Sequence, residues 1–274
     1  MKVPEHAGTV RVLGHDLEYR WSGPPPQEAP TIVFLHEGLG SAAMWKGFPA
    51  RLAERTGCGA LVYSRLGHGR SDPLTAPRTP RFMHDEALTT LPAVLRELRV
   101  AEPVLFGHSD GASIALLYAG SDPPPSIAPL ALALEAPHVF VEPLSIESIA
   151  RMRVEYETTD LPSKLAKHHG GNTETMFRGW NDIWLSPEFQ SWNIESCLPR
   201  IRQPLLVIQG EQDEYGTWNQ VDSILRHVTG PARALRLADC GHAPHRDQPE
   251  AVLETATAFL RETLAARVVL PSPT

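Results

Sequence analysis

The chain has few cysteines, and none of them stands in a metal-binding or disulfide pattern. Cys58, Cys197 and Cys240 are far apart, and no CxxC pair occurs among the 274 residues. A His-Glu-x-x-His pattern, a P-loop and a GxGxxG turn after the first strand are also absent. Because these patterns are the usual signatures of zinc and nucleotide sites, we expect no metal, no cofactor and no disulfide framework.

The chain also lacks an excess of basic residues and long apolar runs. Its net charge is −7, whereas nucleic acids and anionic membranes bind clustered Lys and Arg. No apolar run approaches the roughly 20 residues that cross a bilayer, and the first residues lack the apolar stretch that is typical of a signal peptide, so we expect none. We therefore expect a cytoplasmic protein that binds a small-molecule substrate, with no nucleic-acid or membrane partner. The oligomeric state stays open, and a homodimer is one state that the sequence allows.

What the chain does contain is a regular alternation of short apolar runs and amphipathic stretches. The runs predict strands at residues 9–13, 17–21, 31–36, 60–64, 103–107, 127–136, 205–209 and 234–238, the first two joined by a turn at 14–16. The amphipathic stretches predict helices at residues 42–55, 83–98, 111–118, 218–228 and 249–266. Such alternation predicts an α/β fold with a mainly parallel eight-stranded sheet and helices on both faces.

One segment interrupts this alternation. Residues 140–199 contain helix-like stretches without a strand, and they hold Trp180, Trp184 and Trp192. A helical insertion between two strands of a parallel sheet is typical of a lid over the strand ends, where ligands bind. We expect a core formed by residues 1–139 and 200–274 with a lid at 140–199. The tryptophans could line a pocket or only pack the insertion onto the core.

The sequence Gly107-His108-Ser109-Asp110-Gly111 fits the pattern G-x-S-x-G. An apolar run leads directly into it and a small-residue helix follows, so the serine is expected at a sharp strand-to-helix turn. The two glycines fit this turn because a Cβ at either position would collide with neighbouring elements.

Four further segments make the chain resemble the α/β-hydrolase superfamily over nearly its whole length. They are Phe34–Ser41, similar to an oxyanion loop; Tyr63–Ser71, similar to an R-x-G-x-G-x-S turn; Val207–Asp213, similar to the strand that presents the acid; and Cys240–His245, similar to the loop that carries the base. The resemblance implies that Ser109 is the nucleophile, His242 the base and Asp213 the acid, in the chain order of that fold. His245 competes with His242 for the base, and Glu135 is an alternative acid, as are the neighbours of Asp213.

The same resemblance implies an oxyanion hole made of the backbone N–H groups of Gly38 and Asp110. Glu37 stands where the family usually has glycine, and it either faces outward or brings a carboxylate to the substrate. Some relatives with an acid at the position of Asp110 hold a substrate amino group there. We therefore expect neutral or cationic acyl groups to be preferred over dicarboxylates. His138, Trp180 and Trp184 are further candidates for substrate contact.

These residues predict a serine hydrolase of carboxylic esters, lactones or thioesters. A hydrolase of C–C bonds in ring-cleavage products is the first alternative, and it would need a positive lid residue such as Arg178 to hold a carboxylate. A hydrolase-fold binding protein without turnover is the second alternative. Fold and triad are shared by many chemistries, so the sequence leaves the substrate open.

Overall fold

A central β-sheet organises the chain in a computed structural model, which describes residues 5–268. Its strands are β1 (Glu5–Val12), β2 (His15–Ser22), β3 (Thr31–Leu35), β4 (Gly59–Tyr63), β5 (Pro103–His108), β6 (Ala131–Glu135), β7 (Leu205–Gly210) and β8 (Ala232–Leu237). They lie side by side in the order β1-β2-β4-β3-β5-β6-β7-β8. The pairs β1–β2 and β2–β4 are antiparallel and all other neighbouring pairs are parallel, which confirms the expected sheet.

Helices cover both faces of this sheet. They are α1 (Phe48–Thr56), α2 (Phe82–Asp85), a π-helical turn (Glu86–Thr90), α3 (Leu91–Glu97), α4 (Asp110–Ala119), α5 (Pro143–Thr158), α6 (Leu161–His169), α7 (Thr173–Trp184), α8 (Trp218–His227), α9 (Pro244–Asp247) and α10 (Pro249–Val268). Within residues 5–268, none of them combines the length and hydropathy that a bilayer-crossing helix needs.

The strands in the middle of the sheet are buried on both faces, which explains their continuous apolar runs. Successive side chains point to opposite faces, so Phe34 and Phe106 pack towards α1 and α10 while Val33 and Leu105 pack towards α4. The stacked rings of Phe34 and Phe106 lie 5.1 Å apart between their centroids. This packing fixes the carboxyl ends of β3, β5 and β7 along one edge of the sheet.

The helical insertion, residues 136–204, runs between β6 and β7. Within the described part of the chain its only β-pairing is one bridge between Phe140 and Asn193. Trp180, Trp184 and Trp192 are all buried, and the Trp192 ring stacks on Phe189 with centroids 5.3 Å apart. The insertion therefore has an aromatic interior of its own that also packs on the core.

Three predicted elements differ from the structure for local reasons. The first hairpin turns at Leu13 and Gly14, both with positive φ, and not at 14–16. The predicted helix at 42–55 is a 3₁₀ turn (Ala42–Trp45) followed by α1, because Lys46 at φ 51° breaks it. The predicted strand at 127–136 begins only at Ala131. Pro129 lies in the missing part, and a proline has no N–H to donate to a sheet.

Candidate active site

Ser109 lies at the sharp turn between β5 and α4. Its backbone has φ 54° and ψ −120°, a conformation that costs free energy in a residue other than glycine. A Cβ on Gly107 would lie 2.5 Å from the carbonyl oxygen of Gly111, and one on Gly111 would lie 2.0 Å from that of Leu35. Both glycines are therefore required for α4 to pack closely against β3 and β5 with the serine raised at the turn.

The structure brings Ser109, His242 and Asp213 into one hydrogen-bonded row. The Ser109 Oγ lies 2.9 Å from His242 Nε2, and His242 Nδ1 lies 2.8 Å from Asp213 Oδ1. Because a carboxylate only accepts, His242 Nδ1 carries the proton and Nε2 is left to accept the hydroxyl proton of Ser109. The ring of Tyr215 packs against the imidazole at 4.6 Å between centroids and helps to hold its orientation.

The Asp213 carboxylate is held by donors on both oxygens. Oδ1 also accepts from the backbone N–H of Tyr215 at 2.8 Å and of Gly216 at 3.1 Å, and Oδ2 accepts from Gln209 Nε2 at 2.8 Å. Burial by itself would raise the pKa of Asp213, but the charge and hydrogen bond of His242 and the backbone N–H of Tyr215 lower it below its usual value. The carboxylate is therefore ionised at neutral pH.

The two competing residues form a separate pair. His245 Nδ1 lies 2.6 Å from Glu135 Oε2, and both side chains are buried. No bond joins Glu135 to His242 or His245 to Ser109 within the described residues, so the geometry gives neither a place in the row.

Gly38 and Asp110 lie in the wall of the same cavity as Ser109. Among the described residues, no hydrogen-bond acceptor is found for the backbone N–H of either one. Two unoccupied N–H groups beside a serine hydroxyl are what an oxyanion requires.

The cavity beside Ser109 has a volume of about 380 Å³. Its catalytic wall includes His138 and Tyr215. The helices of the insertion add a mostly apolar part of the lining: Ile149, Met152, Leu161, Leu165, Trp180 and Trp184. All four substrate-binding candidates, Glu37, His138, Trp180 and Trp184, line this cavity.

Glu37 faces the cavity and forms an ion pair with an arginine. Its Oε1 accepts from Arg246 Nη2 at 2.9 Å, and its Oε2 lies 3.5 Å from His108 Nδ1. Burial raises the pKa of Glu37, but the contacts with His108 and Arg246 outweigh it and hold the pKa well below its usual value. Glu37 is therefore an ionised carboxylate whose charge is partly offset by Arg246, so it cannot donate a proton to a substrate carbonyl.

Asp110 is fully buried, and its side chain is only half satisfied. Oδ1 accepts from Trp184 Nε1 at 3.3 Å, whereas Oδ2 has no partner among the described residues. Burial raises the pKa of Asp110 against the opposing charges of Arg65 and Arg78. A carboxyl group with one unsatisfied oxygen at a cavity wall is suited to receive a hydrogen-bond donor from a ligand.

His138 is buried beside the base. Its ring centroid lies 5.7 Å from that of His242 and 5.2 Å from that of Trp184. Burial and the nearby His242 lower the pKa of His138 to about 3, so His138 is uncharged at neutral pH.

Sequence reasoning missed two residues that hold the loop of the base. His108 donates from Nε2 to the carbonyl oxygen of His242 at 2.7 Å, and Arg246 reaches Glu37. His108 occupies a variable position of the G-x-S-x-G pattern, and Arg246 lies 209 positions from Glu37, so no local signal marks either one.

One cluster in the described part of the chain has the residue types of a metal site. The potential ligand atoms of His108, Glu135 and His245 lie within 4.8 Å of one another, and all three residues are buried. The Glu135–His245 hydrogen bond already occupies two of these groups, while His108 Nδ1 and Glu135 Oε1 have no hydrogen-bond partner.

Arg178 does not lie where the C–C hydrolase alternative needs it. Its guanidinium is bound to Glu157 and Glu174, both at 3.1 Å. It lines a different cavity of about 440 Å³ between α7 and residues 74–78, away from Ser109. Arg178, the example of a positive lid residue for that alternative, is therefore not placed to hold a substrate carboxylate beside Ser109.

Comparisons with known proteins point to one family. The profile described as "Alpha/beta hydrolase family" matches residues 32–255. The chain is 31% identical over 96 residues to sn-1-specific diacylglycerol lipase ABHD11 of Danio rerio, a match that covers 35% of this chain and only 29% of that relative. The Mus musculus protein of the same name is 23% identical over 256 residues, covering 84% of this chain and 81% of its own. The crystal structure of proline iminopeptidase from Mycobacterium smegmatis has a TM-score of 0.72 at 21% identity, covering 95% of this chain and 100% of that one.

Proposed function

The chain belongs to the α/β-hydrolase family, and on this premise we propose that it is a serine hydrolase that cleaves a carboxylic ester, lactone or thioester. The observation that carries the proposal is the row Ser109–His242–Asp213, with contacts of 2.9 and 2.8 Å. The unoccupied N–H groups of Gly38 and Asp110 beside it support the same chemistry.

In the proposed first step, the Ser109 Oγ attacks the substrate carbonyl carbon while its proton moves to His242 Nε2. The carbonyl oxygen becomes an oxyanion and accepts hydrogen bonds from the Gly38 and Asp110 N–H groups. Donors of this kind stabilise the transition state by about 3–4 kcal/mol each. Asp213 stabilises the imidazolium that forms.

The tetrahedral intermediate then collapses and the bond to the leaving group breaks. His242 gives its proton to the leaving oxygen or sulfur, and the acyl group stays on Ser109. In the second step, water attacks the acyl carbon and passes its proton to His242. That proton returns to Ser109 as the carboxylic acid leaves.

We extend the proposal to the helical insertion, in which residues 140–199 act as a lid. This role is supported by four apolar residues of the insertion, Ile149, Met152, Leu161 and Leu165, which line the same cavity as Ser109. Such a wall would bind an apolar acyl chain or leaving group by burial, at about 25 cal/mol per Å² of apolar surface.

The charges near the cavity favour neutral or cationic acyl groups. Glu37 is ionised, so a second carboxylate on the substrate would meet a like charge, whereas the unsatisfied buried oxygen of Asp110 can accept a hydrogen bond from a donor on the substrate. Arg246 offsets part of this repulsion. Higher kcat/KM values for succinate-type half-esters than for neutral esters of equal chain length would contradict this selectivity.

The test is hydrolysis of a panel of neutral esters, lactones and thioesters by the wild type, Ser109→Ala and Ser113→Ala. Ser113 is the matched control because it lies one turn further along α4. Its hydroxyl donates to the carbonyl oxygen of His138 and makes no bond to the imidazole of His242. We expect Ser109→Ala to lose turnover by at least 10³-fold while Ser113→Ala keeps it. Equal activity in Ser109→Ala, or no turnover of any panel member by the wild type, would refute the proposal.

A further inference from the structure

The loop that follows β3 has its backbone carbonyls held by buried side chains. We call His36–Gly40 the oxyanion loop. The carbonyl oxygen of Glu37 accepts from His36 Nδ1 at 2.7 Å, from Arg65 Nη2 at 2.8 Å and from the Gly40 N–H at 3.0 Å. The next two carbonyl oxygens are each bound by another histidine.

His68 and His169 are those two histidines. His68 Nε2 lies 3.1 Å from the Gly38 carbonyl oxygen, and His169 Nε2 lies 3.1 Å from the Leu39 carbonyl oxygen. Both side chains are almost fully buried, at 0% and 2% exposure, so these bonds do not compete with bulk water. Three consecutive carbonyls of the oxyanion loop are thus fixed by side chains from outside the loop.

The opposite ring nitrogens show that both histidines donate to the loop. The Gly69 backbone N–H donates to His169 Nδ1 at 3.0 Å, and Arg78 Nη2 lies 3.1 Å from His68 Nδ1. In His169, Nδ1 accepts, so Nε2 must carry the proton. His68 Nδ1 also lies 3.2 Å from the Leu66 carbonyl oxygen, but the Gly38 carbonyl oxygen can only accept, so Nε2 of His68 must carry a proton as well. Burial lowers the pKa of both rings, so the neutral form with one donor and one acceptor is maintained.

The direction of each carbonyl determines the direction of the following N–H. In a planar trans peptide the C=O and the next N–H point opposite ways, so fixing the Glu37 carbonyl fixes the Gly38 N–H. His169 acts through one further peptide. It fixes the Leu39 carbonyl and therefore the Gly40 N–H, which in turn donates to the Glu37 carbonyl. The Gly38 N–H thus depends on His169 through two peptide groups.

His169 belongs to the helical insertion, where it ends α6. The adjoining Asn172 donates to the carbonyl oxygens of Ser71 at 2.8 Å and Gly69 at 3.3 Å, which fastens this corner of the insertion to the core. The insertion also touches the loop at Gly38, where an added Cβ would lie 2.1 Å from Trp180 Nε1. The insertion is therefore in contact with the oxyanion loop at two successive residues.

We propose that His169 is a positioning residue that couples the docked helical insertion to the oxyanion hole. With the insertion in place, His169 holds the Leu39 carbonyl and the Gly38 N–H is directed at the substrate oxygen. With the insertion displaced, the bond is lost and the hole is incomplete. This inference rests on the proposed function, because it assigns His169 a role in the same acyl transfer.

The experiment compares His169→Leu with His169→Gln and with the neighbouring His168→Leu. Leucine removes the donor, whereas the glutamine amide can place an N–H where the imidazole Nε2 lies. His168 is the matched control, since it is the same residue type one position earlier and makes no bond to the oxyanion loop. The readouts are kcat and KM for a small neutral p-nitrophenyl ester and Ki for a trifluoromethyl ketone, whose adduct with Ser109 carries an oxyanion.

We expect His169→Leu to lower kcat by about 10- to 100-fold, somewhat less than removal of an oxyanion donor itself, with KM within twofold of wild type. The ketone Ki should rise by the same factor as kcat/KM falls. His169→Gln should recover most of the loss, and His168→Leu should match wild type. A mere packing role would lower the folded fraction or raise KM without this parallel change in Ki.

The inference is overturned if active wild type and His169→Leu have equal kcat, or if glutamine and leucine are equally impaired. If wild type neither turns over the ester nor binds the ketone, the proposed function itself has failed. Should His169→Leu show no cooperative unfolding transition, the comparison of His169→Phe with His169→Gln gives the same test, because phenylalanine keeps a ring of similar size and removes both nitrogens. Equal kcat in that pair would also refute the role of the buried donor.

Discussion

The Asp213 carboxylate shows how single contacts define roles in this site. It accepts hydrogen bonds from His242, two backbone N–H groups and Gln209, so both of its oxygens have donors. Glu135, which sequence reasoning held as an alternative acid, has a comparable burial but a different histidine, His245. The two carboxylates therefore predict different mutational effects.

Asp213→Asn should lower kcat by about 10³- to 10⁴-fold with little change in KM. The amide removes the charge that stabilises the imidazolium and favours the wrong His242 tautomer. Steady-state kinetics on a neutral ester measure the effect, with Glu135→Gln as the comparison. If Glu135→Gln costs more kcat than Asp213→Asn, the acid has been assigned to the wrong residue.

The ion pair of Glu37 with Arg246 decides a question that the sequence left open. The sequence placed an acidic side chain beside the substrate but left open whether it faced outward. The structure turns it into the cavity wall and pairs it with Arg246, whose side chain is 38% exposed. Burial and partner depend on a contact 209 positions away, which no local pattern encodes.

Arg246→Gln should therefore sharpen the discrimination against anionic substrates. With Glu37 no longer offset, the ratio of kcat/KM for a succinate half-ester to that for a neutral ester should fall by up to about fivefold, since partly exposed ion pairs are worth about 0.2–1 kcal/mol. Arg51→Gln is the control, because Arg51 pairs with Glu250 on the surface. An unchanged ratio in Arg246→Gln would show that Glu37 does not act on the substrate.

At the scale of elements, the sequence predicted the strands of the sheet centre well. Runs such as Thr31–Leu35 are buried on both faces, so burial and β-branched composition coincide. The predictions failed where one residue overrides a pattern, as Lys46 does in the predicted helix at 42–55 and Pro129 before β6. The contact of His169 with the oxyanion loop was also missed, because it joins an inserted helix to a distant strand end.

The packing of α4 on β3 beside the Ser109 turn can be tested at Gly111. Gly111→Ala should destabilise the fold by about 1–3 kcal/mol or more, because its Cβ would overlap the Leu35 carbonyl oxygen at 2.0 Å and neither backbone can move freely. Urea unfolding measures the loss. Gly171→Ala is the matched control, since a Cβ there meets nothing within 4 Å. Equal stabilities of the two variants would contradict the close packing of α4 on β3.

At the scale of the whole molecule, the neutral buried histidines make stability depend on pH. These histidines are His36, His68, His138 and His169. Burial lowers the pKa of each one, to about 3 for His138 and well below 6.5 for His36 and His68. His108 is the exception: burial opposes protonation, but Glu37 raises its pKa, so its own contribution is lost as pH rises.

The free energy of unfolding should therefore fall as pH drops from about 6.5 towards 4. In that window the unfolded chain binds protons at these histidines while the folded chain does not, at about 1.4 kcal/mol per pH unit for each one. Urea unfolding at several pH values measures the slope. His138→Gln should lower this slope by the amount that corresponds to about one proton. The control His227→Gln, at an exposed histidine, should leave the slope unchanged. A free energy that stays constant from pH 7 to pH 5 would contradict the neutral assignment.

Labelling with a fluorophosphonate, followed by intact-mass and peptide mass spectrometry, tests whether Ser109 forms an acyl-enzyme. We expect one adduct per chain, located on Ser109, with labelling abolished in Ser109→Ala and strongly slowed in His242→Ala. An unlabelled wild-type protein, or an adduct on any other residue that persists in Ser109→Ala, would contradict it.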